Sequence, residues 1–313
     1  MNFLATFINV VTIVVLAVPG FVLRKCKLFP EKAASVLAVL LLYVSQPFLM
    51  MSSIFNKPFD PAMLPNFAWV LGFAVVLQLA VYFVSLLCFS RDKNEAARRA
   101  AVASSYLGNV GFMGIPVMEM LFPGNDEMIL YTVVYNIAFN AMTWTLGVYA
   151  ITGEKKRINP LKIILNPPTI AVIIALPFFF CNVAIPEQVM TPISYLGDMT
   201  LPLSMIILGV RLADMHPLRL VNDVRVYAVA ALKLIVSPLL SLGIMLLVDL
   251  VFPLDRFVII ALFIIGAMPT ASSALNFAEM FGGDRETAAA STLMNTLLCI
   301  LTIPVLMLLC EVL

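Results

Sequence analysis

Two stretches of this chain hold residue types suited to binding a small charged solute. Gly108-Asn109-Val110-Gly111-Phe112-Met113-Gly114-Ile115-Pro116 lies inside an apolar run from Ala100 to Leu121. Gly266-Ala267-Met268-Pro269-Thr270-Ala271-Ser272-Ser273-Ala274-Leu275-Asn276 lies near the other end. Gly costs about 1 kcal/mol and Pro about 3 kcal/mol relative to Ala inside a helix, so both stretches are expected to be broken helices. A half-helix N-terminus presents free N–H groups and a positive dipole end to an anion; a half-helix C-terminus offers carbonyls to a cation or a proton carrier. Asn109, Gly111 and Pro116 from the first stretch, and Pro269, Thr270, Ser273 and Asn276 from the second, are the expected binding residues. Asn both donates and accepts, which suits orienting a carboxylate or closing a broken turn. One Gly/Pro kink is ordinary structure; two at matching places point to a site.

Two ionisable residues, Asp198 and Lys233, stand inside apolar runs. A charge at such a place is costly and by default marks function with a partner. Three readings stay open: a structural ion pair between them, Lys233 holding an anion while Asp198 takes up a proton or a sodium ion, or a Lys that reaches towards the aqueous edge. Enzyme chemistry finds no support. The single His, His216, excludes a His-based metal site or triad, and no second mid-run Asp completes a dyad with Asp198. Cys26, Cys88, Cys181, Cys299 and Cys310 form no CxxC pair, and there is no phosphate-binding Gly-rich loop. No cofactor, metal or nucleic acid is implied.

The elements that carry these residues follow from composition. Of 313 residues, 62% are hydrophobic and 12% charged, about half the charge of a soluble domain. That describes an all-α integral membrane protein. Charge-poor stretches of spanning length fall at 2–23, 33–55, 62–90, 100–121, 128–152, 163–185, 188–210, 226–250, 257–280 and 287–310. Connections after the odd-numbered stretches hold Arg24, Lys25, Lys27, Lys32, Arg91, Lys93, Arg98, Arg99, Lys155, Lys156, Arg157, Lys162, Arg211, Arg219, Arg225 and Arg285. The even-numbered connections hold only Lys57 and Arg256. By the positive-inside rule both termini are expected outside the cytoplasm of a plasma or inner membrane. The uncharged start, Met1 to Leu23, reads as a retained first span rather than a cleaved signal.

Sliding the chain against itself by 155–159 residues aligns its punctuation. Pro19 meets Pro177, Pro30 meets Pro186, Pro47 meets Pro202, and Asn136 meets Asn295. Residues 1–157 and 158–313 are therefore expected to be two five-helix units. Five is odd, so the second enters the membrane inverted, a construction of many secondary transporters. Helices four and nine are the equivalent broken helices, expected to cross.

Asn109-Val110-Gly111-Phe112-Met113-Gly114-Ile115-Pro116 resembles the N-x-G-F-x-G-x-P signature of the auxin efflux carrier (PIN-like) family. Leu201-Pro202-Leu203 with Leu208-Gly209, Lys233-Leu234 with Pro238-Leu239, Ala267-Met268-Pro269-Thr270-Ala271, Asn276-Phe277-Ala278 and Thr302-Ile303-Pro304 extend the resemblance over the whole chain. It is similar to the bacterial members, some provisionally named malonate transporters. The long loop of plant PIN proteins is replaced by the short basic stretch Gly153 to Lys162, which argues against loop phosphorylation and against auxin. The resemblance implies ten helices, with helices 1, 2, 6 and 7 as scaffold, helices 3–5 and 8–10 as transport bundle, and a homodimer through the scaffold. The expected function is alternating-access transport of a small organic anion, a mono- or dicarboxylate, alone or with H⁺ or Na⁺. The alternatives are a sodium-coupled symporter of the bile-acid type or a cation/proton antiporter on the same architecture.

Overall fold

A computed structural model describes residues 3–215 and 222–311; His216 and Arg219 lie outside the described residues. Within them the regular structure is helical, apart from one isolated backbone bridge. In chain order the helices are α1 (Phe3–Lys25), α2 (Ala33–Ile54), α3 (Pro61–Cys88), α4 (Glu95–Tyr106), α5 (Val110–Leu121), α6 (126–152), α7 (Pro160–Ile164), α8 (Pro167–Phe180), α9 (Glu187–Asp214), α10 (Val224–Asp249), α11 (Arg256–Gly266), α12 (Ser272–Phe281) and α13 (Arg285–Met307). Six of these, α1, α2, α3, α9, α10 and α13, are long and apolar enough to cross a membrane, and α5, α8 and α11 are shorter apolar helices.

The stretches 100–121, 163–185 and 257–280 each fall into two pieces, α4/α5, α7/α8 and α11/α12. The middle break was not expected. Pro167 and Pro168 follow Asn166, whose side chain accepts from Thr169 N, so the chain must leave one helix and start another there. In the first broken stretch only residues 107–109 are non-helical. Gly111 and Gly114 belong to a wide π turn, Val110–Gly114, and Pro116 sits in the first turn beyond it. At such a position its missing N–H and fixed φ are tolerated. Pro116 therefore does not break the helix.

Polar contacts between helix ends sort the termini onto two faces. On one, Arg24 at the end of α1 donates to Asp214 of α9 at 2.6 Å. There too Arg225 of α10 pairs with Asp92, between α3 and α4, and Gly153, just after α6, lies against the Arg99 guanidinium of α4. The carboxyl of Asp92 is held below the usual carboxylate range by its hydrogen bond from Arg225. On the other face Lys57 pairs with Asp126 at the start of α6. Asn56 accepts from Ile185 N at 2.8 Å, and Asn182 accepts from Phe59 N at 2.8 Å. Arg24, Arg99 and Arg225 thus share one face with the basic connections around them.

The core is densest around α11, where Val258 to Gly266 are all buried, the pattern of a helix enclosed by others on every side. The outside is apolar as well: Val36, Leu87, Ile173 and Leu247 are exposed, the surface that lipid rather than water solvates. Helices α1 and α9 pack backbone to backbone. A Cβ on Gly20 would fall 2.1 Å from Ile206 O, and one on Gly209 would fall 1.9 Å from Ala17 O. Small residues let membrane helices approach this closely, where dispersion and weak polar contacts replace the hydrophobic drive. Gly72 and Gly243 have open space at the same position.

Gly20→Ala or Gly209→Ala forces α1 and α9 apart and should lower stability by about 1–3 kcal/mol, as overpacking does. Gly72→Ala should be neutral or stabilising, because Ala is the better helix former by about 1 kcal/mol. Thermal unfolding of the purified protein in detergent checks both; equal behaviour of the two classes would refute the close-packed seam.

Candidate functional site

The two breaks meet. Gly108 pairs with Thr270 in an antiparallel bridge. Asn109 N donates to Pro269 O at 2.7 Å, and Ala271 N donates to Leu107 O at 2.8 Å. Each unpaired backbone group in hydrocarbon would cost several kcal/mol, and here each break satisfies the other. Side chains tighten the joint. Thr270 Oγ1 donates to Ser104 O at 2.7 Å and accepts from Asn295 Nδ2. At the C-terminus of α11, Lys233 Nζ donates to Gly266 O at 3.2 Å and to Ser237 Oγ at 3.4 Å. A Cβ on Gly108 would lie 3.0 Å from that ammonium, so the glycine makes room for it.

The half-helices that leave the crossing start without a side-chain cap, as α2 and α9 also do. Asn94, Asn125, Asp223, Asp255 and Asp284 cap α4, α6, α10, α11 and α13 with side-chain oxygens. Neither α5 nor α12 has a side-chain cap; Asn109 and Ala271 stand at those positions. Val110 N donates to Gly108 O and Ala274 N to Ala271 O, and no side chain caps the rest of either first turn, which leaves room for another acceptor.

A cavity of about 670 Å³ reaches from this point towards the face bearing the basic connections. Three of its walls are π turns, Leu41–Ser45, Val110–Gly114 and Thr143–Gly147, through Tyr43, Phe112 and Trp144; a fourth π turn, Leu232–Val236, carries Lys233. Such wide turns recur at functional sites because they displace a side chain from helical register. The charged residues on the wall are Arg211, Lys162 and Glu279. Arg211 Nη2 donates to Asn276 Oδ1 at 2.9 Å, and Lys162 Nζ sits 5.4 Å from the Trp144 ring centre. The wall is otherwise mostly aromatic and aliphatic, so it suits a small solute with an anionic end.

Of the residues expected from sequence, Asn109, Gly111, Ser273 and Asn276 line this cavity. Pro269 and Thr270 lie behind it as parts of the bridge, and Pro116 is buried in α5 away from it. Lys233 is 3% exposed, without an acidic partner among the described residues, and under the crossing rather than on the cavity wall. Asp198 is exposed, so the ion pair between Asp198 and Lys233 does not form. The reason is geometric: Asp198 ends the first part of α9 on its outward face, while Lys233 points into the crossing. Asn295 ties α13 to Thr270, and Asn140 lines the cavity.

Arg211, Lys162 and Trp144 were not singled out. By sequence Arg211 reads as a connection charge, yet Leu212 and Ala213 continue the apolar pattern beyond it. That continuation was the available sign that Arg211 sits inside the last turns of a span.

Thr270→Val removes the donor to Ser104 O and the acceptor of Asn295 Nδ2. Each buried polar group so orphaned should cost about 1–3 kcal/mol, read as a lower unfolding midpoint, with Thr270→Ser restoring most of it. An unchanged midpoint would show that the bridge stands without this side chain.

Known proteins similar to this chain are membrane transporters by name. The family described as "membrane transport protein" matches residues 5–161 and 154–307. An uncharacterized transporter of Methanothermobacter thermautotrophicus is 24% identical over 312 residues, covering 97% of this chain and 98% of its own. A transporter of Methanocaldococcus jannaschii, also uncharacterized, is 24% identical over 306 residues, covering 94% and 95%. A protein of Rhizobium meliloti provisionally named a malonate transporter is 23% identical over 293 residues, covering 91% and 89%. Family and relatives point to a multi-pass membrane transporter rather than an enzyme. With its broken helices bridged at the head of a cavity, and the family match running through nearly its full length, this chain belongs to the membrane transport protein family.

Proposed function

We propose that the chain is a secondary transporter of a small organic anion, a malonate-like mono- or dicarboxylate, working by alternating access at the crossing. One observation carries this: two uncapped half-helix starts, joined by the Gly108–Thr270 bridge, open onto a cavity whose wall holds Arg211 and Lys162. Helix N-termini and cations together favour an anion. The provisional name of the Rhizobium relative supports a carboxylate as cargo.

The reading includes ten crossings in two inverted units, residues 1–157 and 158–313. Three observations support it. Helix-end contacts fall on two faces; the two breaks are equivalent in position and pair with one another; and Asn136 and Asn295 each stand behind their own unit's break. The close α1–α9 seam and the packing of α2 on α8 and α9 suit a scaffold, with α3–α6 and α10–α13 as the moving bundle. The scaffold's apolar outside is the surface by which a homodimer would form. Basic residues on one face support a cytoplasmic position for it, with both termini outside; in that orientation the cavity faces inward.

Sodium symport of the bile-acid type would use half-helix C-terminal carbonyls to hold the ion. Here Lys233 supplies the positive charge at Gly266 O itself, which favours an anion carrier that runs on the anion gradient or on protons. A cation/proton antiporter would need a carboxylate at the crossing. Glu279 lies on the cavity wall and Asp198 outside, neither within the bridge.

Proteoliposomes should take up labelled malonate or a related carboxylate under an imposed gradient, and Asn109→Ala should raise KM about tenfold, equivalent to about 1.4 kcal/mol, with assembly intact. Absence of flux for every carboxylate in a folded preparation would sink the transport reading. The inferred orientation has its own check. In intact cells an impermeant maleimide should modify a variant retaining only Cys181 and spare one retaining only Cys26, both side chains being exposed; the reverse labelling would invert the topology.

A further inference from the structure

Arg211 is the least satisfied charge in the cavity wall. It lies in the last turn of α9, with its side chain 12% exposed. Its guanidinium makes one hydrogen bond among the described residues, from Nη2 to Asn276 Oδ1 at 2.9 Å. Nη1 is buried with no partner. The nearest carboxylate oxygen, Glu279 Oε2, is 3.9 Å from Nη2, inside charge-pair range and beyond hydrogen-bond range. Glu279 is 42% exposed and sits one turn after Asn276 on α12.

A guanidinium has five donors in a fixed fork that matches a carboxylate, and burying it half-paired is unfavourable. Glu279 balances the charge from a distance without filling the fork. The first turn of α12, with Ser273 on the same wall and its Oγ also unpartnered, adds a second donor group to the same pocket. Lys162, by contrast, is exposed at the mouth and held over the Trp144 ring, so it is placed to attract anions rather than to fix one.

Resting on the transport reading above, we propose that Arg211 is the anion-recognition residue of this site: a substrate carboxylate fills the guanidinium fork and displaces Glu279 as its counter-charge. Cargo must then carry at least one ionised carboxylate, and Glu279 competes with it. Lys at position 211 would keep the charge and lose the two-pronged geometry.

The test uses the full chain with malonate as probe, alongside acetate and succinate. Half-saturation is read both from the ligand-induced rise in unfolding midpoint and from KM in proteoliposomes. Arg211→Gln should raise half-saturation at least tenfold with the ligand-free midpoint retained, Arg211→Lys should fall between it and the wild type, and Glu279→Gln should lower half-saturation. Unchanged half-saturation in a folded Arg211→Gln protein overturns the proposal. Should that variant fail to fold, unchanged half-saturation in both Arg211→Lys and Glu279→Gln overturns it equally. A wild type that binds and carries no carboxylate defeats the transport reading and this proposal together; carriage that ignores Arg211 defeats this proposal alone.

Discussion

Two backbone hydrogen bonds, Asn109 N to Pro269 O and Ala271 N to Leu107 O, decide most of what surrounds them. An interrupted helix in an apolar interior has donors and acceptors that water cannot reach. One break alone would need a wet cavity or a polar helix beside it. Two breaks placed against each other exchange what each lacks. The exchange is possible only if both chains come within hydrogen-bond distance at the same depth, which fixes α4, α5, α11 and α12 relative to one another.

That constraint spreads outward. Gly108 leaves room for the Lys233 ammonium that passes beside it, and the Thr270 hydroxyl serves both Ser104 O and Asn295, which turn towards it. Helix α11 has to be apolar on every side because it ends at the crossing, enclosed by the rest of the fold. The exchange also has a limit. It pairs the groups nearest the break and leaves the first-turn N–H groups of α5 and α12 without side-chain caps, at the head of the cavity. Structural completeness at the bridge and uncapped helix starts beside it belong to the same arrangement.

Charge is used sparingly and in separated roles. Lys233 stays inside the crossing with its amine donating to the carbonyl at a helix C-terminus, the end that favours positive charge. Arg211 faces the cavity, where its partner is an amide with a carboxylate further off. Most of the remaining charge lies at helix ends, where Arg24 with Asp214 and Lys57 with Asp126 tie connections together on opposite faces. A chain with 12% charged residues keeps few of them for the interior, and Lys233 and Arg211 are placed differently there, one beneath the crossing and one on the cavity wall.

The sequence by itself determined the membrane class, the approximate limits of most helices, the sidedness of the charge and the two damaged stretches. Each rests on a local property: apolar length, Gly and Pro cost, or the count of Lys and Arg in a connection. Four of the expected site residues, Asn109, Gly111, Ser273 and Asn276, were readable because they lie within the damaged stretches that form the cavity head. What only the tertiary structure decided was the partner of each group. Asp198 and Lys233 looked equivalent as charges in apolar runs, yet one faces outward and the other is enclosed, since helix rotation is set by packing and not by hydropathy. Arg211 looked like a connection charge until the end of α9 was seen against α12. Pro269 and Thr270 looked like binding residues, but the Pro269 carbonyl is taken by Asn109 N and the Thr270 hydroxyl by Ser104 O, contacts that only the folded chain brings together.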